Sequence, residues 1–193
     1  MTDITGLRER RRLATAAEIE AAAFALFERQ GSEHTTVDDI AAAAGVSPRT
    51  FFRYFPTKED AVLGVKRSFF DAVSDFLPSG DLTFGGLAGA TASALGAFSA
   101  GEHAPLRLMM RVRCLCKADG NLRSASLVLD AEQCRSRQQG AGSVRARLVV
   151  ETVSVVLNAA LDEWATRRVA GEDADVADVF RSTCALQRGL LRG

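Results

Sequence analysis

Residues 36–60, TVDDIAAAAGVSPRTFFRYFPTKED, hold three helix-start signals in close succession. Thr36 followed by Asp39 has the form of a capping box, in which each side chain satisfies a backbone N–H that the first turn leaves unpaired. Ser47 before Pro48 places an oxygen acceptor at the N-cap and a fixed φ at the first helical position. Thr57 and Asp60 repeat the capping box. Helices are therefore predicted to open near 37, 48 and 58. Between the first two, Ala44, Gly45 and Val46 supply a tight turn, for which glycine can take a left-handed conformation that a side chain resists. This is a helix-turn-helix pattern.

The same stretch assigns its own faces. Ala41 and Ala44 let a second helix cross closely, while Ile40 and Val46 fill the angle. Phe51 and Phe55, four apart, share the face that should be buried. At about 100° per residue, Arg49 and Arg53 then point away, with Thr50 and Phe52 on their flanks and Tyr54 further round. Such a helix suits the major groove. Arginine can donate in bidentate fashion to guanine O6 and N7, and a phenyl edge can pack on a thymine methyl, so Arg49, Arg53 and Phe52 are the base-reading candidates. Thr36, Ser47, Thr50 and Lys58, at or near helix N-termini where the dipole favours anions, are candidates for phosphate, and so is Tyr54 at the far end of the helix from 48. An isolated pair of arginines would read as solvated charge; caps, turn and buried face together point to DNA.

Working outward, apolar residues recur at helical spacing through the whole chain and alternating patterns are almost absent, so the expected fold class is all-α. The expected helices span 11 to 30, 37 to 44, 48 to 54, 58 to 77, 84 to 100, 103 to 117, 121 to 138, 143 to 169 and 173 to 190. Glycines 31, 45, 101, 120, 140, 142 and 171 stand where helices should end. Ile19, Ala23 and Phe27 form the core stripe of the first helix, and Arg8, Arg10, Arg11 and Arg12 read as a basic arm before it. Pro78, Ser79, Gly80 and Asp81 break the chain after the fourth helix. We expect a DNA-binding domain over 1 to 60 and a helical bundle over 61 to 193.

Bulk properties narrow the function by exclusion. Formal net charge is zero, and residues 1 to 60 carry eight Lys/Arg against ten Asp/Glu. DNA affinity must therefore come from the placement of a few cations. Cys114, Cys116, Cys134 and Cys184 lack metal-ligand spacing and read as small buried thiols, so no metal is expected. Only His34 and His103 occur, with no phosphate-binding glycine loop, which argues against an enzyme and against a cofactor. No apolar run reaches transmembrane length and no signal segment opens the chain, so a cytoplasmic protein without membrane contact is expected. The stretch from 144 to 164 is apolar on almost every side, so one face should pack within the subunit and another against a partner. Helices 143 to 169 and 173 to 190 are the expected homodimer interface, with Leu157 taken as one of its contacts.

The stretch from Thr36 to Leu63 resembles the DNA-binding region of the TetR family: a Thr, an Ile-Ala pair, an Ala-Gly-Val-Ser turn, an aromatic-rich recognition helix and a Lys opening the fourth helix, in that order. The resemblance implies an all-α homodimer on a near-palindromic operator, usually a repressor released by a small-molecule effector. Carried over, its DNA contacts fall on Arg49, Thr50, Phe52, Arg53 and Tyr54, with Lys58 on phosphate. Asp38 departs from the pattern, standing where relatives can present a cation. The resemblance further implies a pocket in the C-terminal bundle, for which Phe70, Phe98, Met109, Arg113, Asn158 and Trp164 combine apolar bulk with polar handles.

Overall fold

Side-chain oxygens open the helices at most of the positions the sequence marks for them. The computed structural model describes residues 4–75, 83–100, 104–138 and 143–190, and these form helices with no strand among the described residues. In chain order they are α1 (Ile4–Gln30), α2 (Val37–Ala43), α3 (Pro48–Tyr54), α4 (Lys58–Ser74), α5 (Phe84–Ala100), α6 (Ala104–Ala118), α7 (Gly120–Gln138), α8 (Val144–Val169) and α9 (Val176–Leu190). The fold is all-α, as the periodicity requires. The expected break at residues 78 to 81, and the glycine stops at 101, 140 and 142, lie outside the described residues. So do the expected end of the fourth helix at 77 and the start of the sixth at 103.

Three boundaries differ from expectation, each for a local reason. The first helix begins at Ile4 and not near 11. From Leu7 to Ala14 it is built almost wholly from strong helix formers, and Glu9 accepts from Arg12 one turn on at 3.0 Å. The basic arm is thus helical. The last helix begins at Val176 and not at 173, because the Asp175 carboxylate accepts the N–H groups of Ala177 and Asp178 at 2.9 and 3.0 Å. Gly120, expected to end a helix, opens one. Asp119 alone separates α6 from α7, and its carboxylate accepts the Leu122 N–H at 3.0 Å as an N-cap. By contrast Gly31, Gly45 and Gly171 do end helices, at φ of 77°, 66° and 85°.

The chain divides into two compact units. The first comprises the residues up to Gly64 together with Leu115–Ser126, and the second Val65–Cys114 with the residues from Leu127 onward. In the first, Ile19, Ala23, Phe27, Ile40, Ala41, Phe51 and Leu122 are each 2% exposed or less, a small core of α1 to α3 closed by the start of α7. The carboxylate of Asp119 also accepts the Ser32 N–H at 2.8 Å, which ties the α6–α7 corner to the loop after α1.

The second unit packs α5, α8 and α9 around Leu95, Leu157, Ala160, Leu161 and Phe180, with Phe70 of α4 and Met109 of α6 in the same core. Two cations are buried in it. Lys66 is 1% exposed and pairs with Asp130 at 2.7 Å, while Arg113 is 5% exposed. Burial of a lysine at this depth is tolerated only with such a partner.

Asp119 makes the first unit sensitive to acid. Burial alone would raise its pKa, but the hydrogen bonds it accepts from Leu122 and Ser32 hold it below the usual carboxylate range. A carboxylate depressed in the folded state contributes stability above its unfolded value of about 3.9 and loses it as pH falls through the folded value. Asp119→Ala should therefore lower stability by about 1 to 2 kcal/mol at neutral pH. The loss should shrink below about pH 4, where the wild type surrenders the same contribution. Urea unfolding followed by circular dichroism at two pH values measures both.

Candidate nucleic-acid interface

The interface is assembled from caps and one aromatic anchor. Thr36, at φ −101° and ψ 163°, accepts the Asp39 N–H at 3.1 Å while Asp39 accepts the Thr36 N–H at 2.9 Å, so the capping box is complete. The hydroxyl and N–H of Thr36 hold the exposed Asp39 carboxyl below its ordinary pKa. After Ala44 the chain turns through a Schellman arrangement: Val46 N–H donates to Ala41 O at 2.9 Å and Gly45 N–H to Ala42 O at 3.2 Å. Ser47 then caps α3, accepting the Thr50 N–H at 3.1 Å, with its hydroxyl 2.9 Å from that of Thr50. Pro48 follows at the first helical position.

Phe51 decides which way α3 faces. It is 0% exposed, and Phe55 at the C-cap is also buried, their ring centroids 6.0 Å apart. Arg49 and Arg53 lie about 160° round the helix from Phe51, on the opposite side, and both are exposed. Phe52 is 57% exposed although its ring meets Phe51 edge-on at 5.5 Å, so the flank it forms is apolar, rigid and open. Thr50 and Tyr54 are half-buried. The Arg53 guanidinium sits 5.2 Å from the Tyr54 ring centroid, a cation–π contact that restricts where the arginine can point. The arrangement is a short, capped helix offering two guanidinium groups and a phenyl edge to solvent.

Lys58 has a second task that the sequence did not reveal. Its ammonium donates to Ser32 O at 2.5 Å and Thr35 O at 2.8 Å, bracing the loop between α1 and α2. Two of its three protons are thereby committed, and one is left for an outside acceptor. Asp119 reaches the same loop from the N–H side at Ser32. Neither partner could have been read from spacing, because both depend on where the loop lies in space.

The six positions nominated for a ligand all lie in the second unit. Phe70, Met109 and Trp164 are core side chains, and Phe98 packs on the same cluster with its ring 5.5 Å from that of Phe69. Arg113 and Asn158 meet directly: the guanidinium donates to Asn158 Oδ1 at 2.6 Å and to Asp162 at 3.2 Å. Arg113 Nε is buried with no hydrogen-bond partner among the described residues. Separately, a half-open cavity of about 570 Å³ is lined by Leu106, Arg107, Met110, Trp164, Arg168 and Val176 among others. Of the six nominated residues only Trp164 lines it, its indole N–H donating to Ala174 O at 3.1 Å. The four cysteines are free, and burial raises the pKa of Cys184 although Arg188 opposes it. No group of three potential metal ligands occurs among the described residues.

Residues 19–64 match the family described as bacterial regulatory proteins, tetR family. Two curated relatives carry the names of transcriptional regulators. The HTH-type transcriptional regulator TcmR of Streptomyces glaucescens is 39% identical over 101 residues, which is 50% of this chain and 44% of that protein. The putative mycofactocin biosynthesis transcriptional regulator MftR of Mycobacterium tuberculosis is 47% identical over 49 residues, 25% of each chain. The chain thus spans less than half the length of the curated relatives it matches. Among solved structures, Thermus thermophilus FadR in complex with lauroyl-CoA superposes with a TM-score of 0.49 at 22% identity, covering 89% of this chain and 92% of that one.

Replacing Arg53 by Ala should weaken binding to a cognate duplex by about 1 to 3 kcal/mol if the side chain reads a base. Discrimination at one base-pair position should relax with it. A gel-shift titration against single-substitution duplexes measures both, and an unchanged affinity removes Arg53 from the base-reading set.

Proposed function

We propose that this chain, a member of the TetR family of bacterial regulatory proteins through residues 19–64, is a repressor that binds a near-palindromic operator as a homodimer and is released by a small, mostly apolar ligand. The observation that carries the DNA-binding part is the polarity of α3. A fully buried Phe51 fixes one side, and the opposite side presents Arg49 and Arg53, which is what entry into a major groove demands. The base-reading set is Arg49, Phe52 and Arg53. Thr36, Ser47, Thr50, Tyr54 and the third proton of Lys58 are left to phosphates.

Dimerisation is supported by apolar side chains that no part of the second unit covers. On α8, Val144, Leu148 and Val155 are 63%, 57% and 69% exposed, and on α9 Leu186 and Leu190 are 69% and 84% exposed. Val144 and Leu148 continue into an apolar groove of about 680 Å³ that also takes in Phe84 and Val149. Exposed apolar side chains of this kind fit a partner of equal shape, and two copies would set their recognition helices about 34 to 36 Å apart. Leu157 is not part of that surface. It is 2% exposed and lies about 200° round α8 from Val155, so it serves the subunit's own core.

For the effector, the half-open cavity beside Trp164 offers Leu106 and Met110 to an apolar body and Arg107 and Arg168 to an anionic or carbonyl end. Arg168 is already bonded to Asp173 at 2.9 Å, which leaves Arg107 as the cation for the ligand's polar end. The buried Arg113, whose Nε–H has no partner among the described residues, is a second polar handle for a ligand that reaches deeper.

Val155→Glu should convert the dimer to monomer without unfolding it, whereas Leu157→Glu should unfold the subunit. Sedimentation velocity and circular dichroism separate the two, and a Val155→Glu chain that stays dimeric locates the interface elsewhere. Selection from random duplexes with the full-length chain should enrich a sequence with two-fold symmetry. A screen of amphipathic acids and esters should then find compounds that release it. Failure to enrich any duplex refutes the DNA-binding reading, and enrichment without release by any compound refutes the effector.

A further inference from the structure

Arg113 is 5% exposed, and the tip of its guanidinium is committed to two residues one turn apart on α8. Nη2 donates to Asn158 Oδ1 at 2.6 Å and Nη1 to Asp162 Oδ1 at 3.2 Å. What remains is Nε–H, on the flank of the group, buried and without a partner among the described residues. Buried donors of this strength are paired in folded proteins, by protein, water or ligand, so Nε–H has an acceptor to find.

The position of that donor relates it to the half-open cavity beside Trp164, all within the second unit. Leu106, Met110 and Arg113 recur at i, i+4 and i+7 along α6 and so share one side of the helix. Leu106 and Met110 line the cavity together with Trp164 and Arg168 of α8, while Arg113 meets Asn158 and Asp162 of the same helix. The two helices therefore run past one another in opposite directions. The cavity occupies one level of the gap between them and the Arg113 cluster the next. Met110, half-buried, stands between the two levels, about 4.5 Å before Arg113 along the axis. Its side chain is unbranched and turns easily, so it is the part of the cavity wall whose movement opens the way to Nε–H.

Charge selects the acceptor. The Asp162 carboxylate stands against the guanidinium and is itself half exposed, so the pair is neutral with its anion on the water side. A second carboxylate brought to Nε–H would leave one negative charge in excess inside the bundle, and burying an uncompensated charge is expensive. A neutral carbonyl accepts the same hydrogen bond with no excess. We propose that Arg113 Nε–H is the specificity-determining donor of the effector site, and that the site takes an uncharged carbonyl compound, an ester, ketone or lactone on an apolar body, in preference to the corresponding acid. This inference rests on the reading of the cavity as an effector site and names the chemical class it accepts. Arg107, exposed on the cavity wall, stays with the polar group that trails at the mouth.

The test uses the full chain and three probes of similar length: methyl octanoate, methyl octyl ether, in which a methylene replaces the carbonyl, and octanoate at neutral pH. Trp164 is the chain's single tryptophan and lines the cavity, so its emission reports occupancy directly. Wild type should bind the ester about tenfold more tightly than the ether, the scale of one hydrogen bond from a charged donor, and more tightly than octanoate. Arg113→Lys keeps the positive charge beside Asp162 but lacks the flank donor, and ester and ether should then bind alike. Asp162→Asn leaves the guanidinium unbalanced while changing only a half-exposed side chain, and the order of ester and acid should reverse. Circular dichroism checks that both variants fold; should Arg113→Lys fail to, the wild-type ranking and Asp162→Asn decide. Equal wild-type affinity for ester and ether overturns the role of Arg113 and gives Nε–H to an enclosed water, with the cavity reading intact. A wild type that prefers octanoate overturns the neutral class. No change in Trp164 emission with any of the three overturns the cavity as effector site and this inference with it, while the DNA-binding reading stands apart.

Discussion

A helix of seven residues cannot hold itself together in water. Nucleation costs more than two turns of hydrogen bonds return, so α3 exists only because its surroundings impose it. The decisive constraint is the burial of Phe51 at 0% exposure beneath it, with Phe55 as a second anchor and Ser47 closing the first turn. The open face of α3 is defined relative to that ring. If Phe51 is inside, Arg49 and Arg53 are outside, and no other feature of the chain needs to specify their direction. The platform is braced in turn by charge: Lys58 holds the carbonyls of Ser32 and Thr35 while Asp119 takes the N–H of Ser32. One loop of backbone is thus gripped by a cation on its acceptors and an anion on a donor.

Much of this was legible in the sequence because caps and turns are local chemistry. Thr36 with Asp39, Ser47 with Pro48, and Gly45 in its left-handed turn each involve residues within a few positions of one another, and all stand where the spacing puts them. Legibility fails where the deciding partner is remote. Gly120 looked like a helix end because glycine usually is one, yet Asp119 before it is a cap and reverses the meaning. The arginine run looked like an arm because charge density suggests a solvated terminus, but Arg, Glu, Leu and Ala are also the best helix formers, and here propensity prevails. In α8, apolar on nearly every side, period alone cannot say whether Leu157 or Val155 faces the core. Only the neighbours supplied by α5 and α9 decide it.

Among the described residues, the fully buried cations all lie in the second unit. In the first unit cations are displayed: Arg49 and Arg53 on α3 and the arginines of α1 that are described are solvent-facing. In the second unit two cations are withdrawn, Lys66 against Asp130 and Arg113 against Asn158 and Asp162. Buried pairs of this kind seldom add net stability over an apolar replacement, since desolvation consumes the Coulombic gain.

Residues 115–126 belong to the unit that begins at the N-terminus, and Leu122 within them is fully buried there. On the ribosome this sets an order of events. At about 5 to 20 residues per second, the first unit emerges up to Gly64 with part of its core and the Asp119 cap still unsynthesised. It must wait while the intervening helices are made. The first unit is consequently a late product of translation, completed only after the opening helices of the second unit have been made, and a gene fragment cut at the obvious sequence boundary would encode a domain missing its final wall.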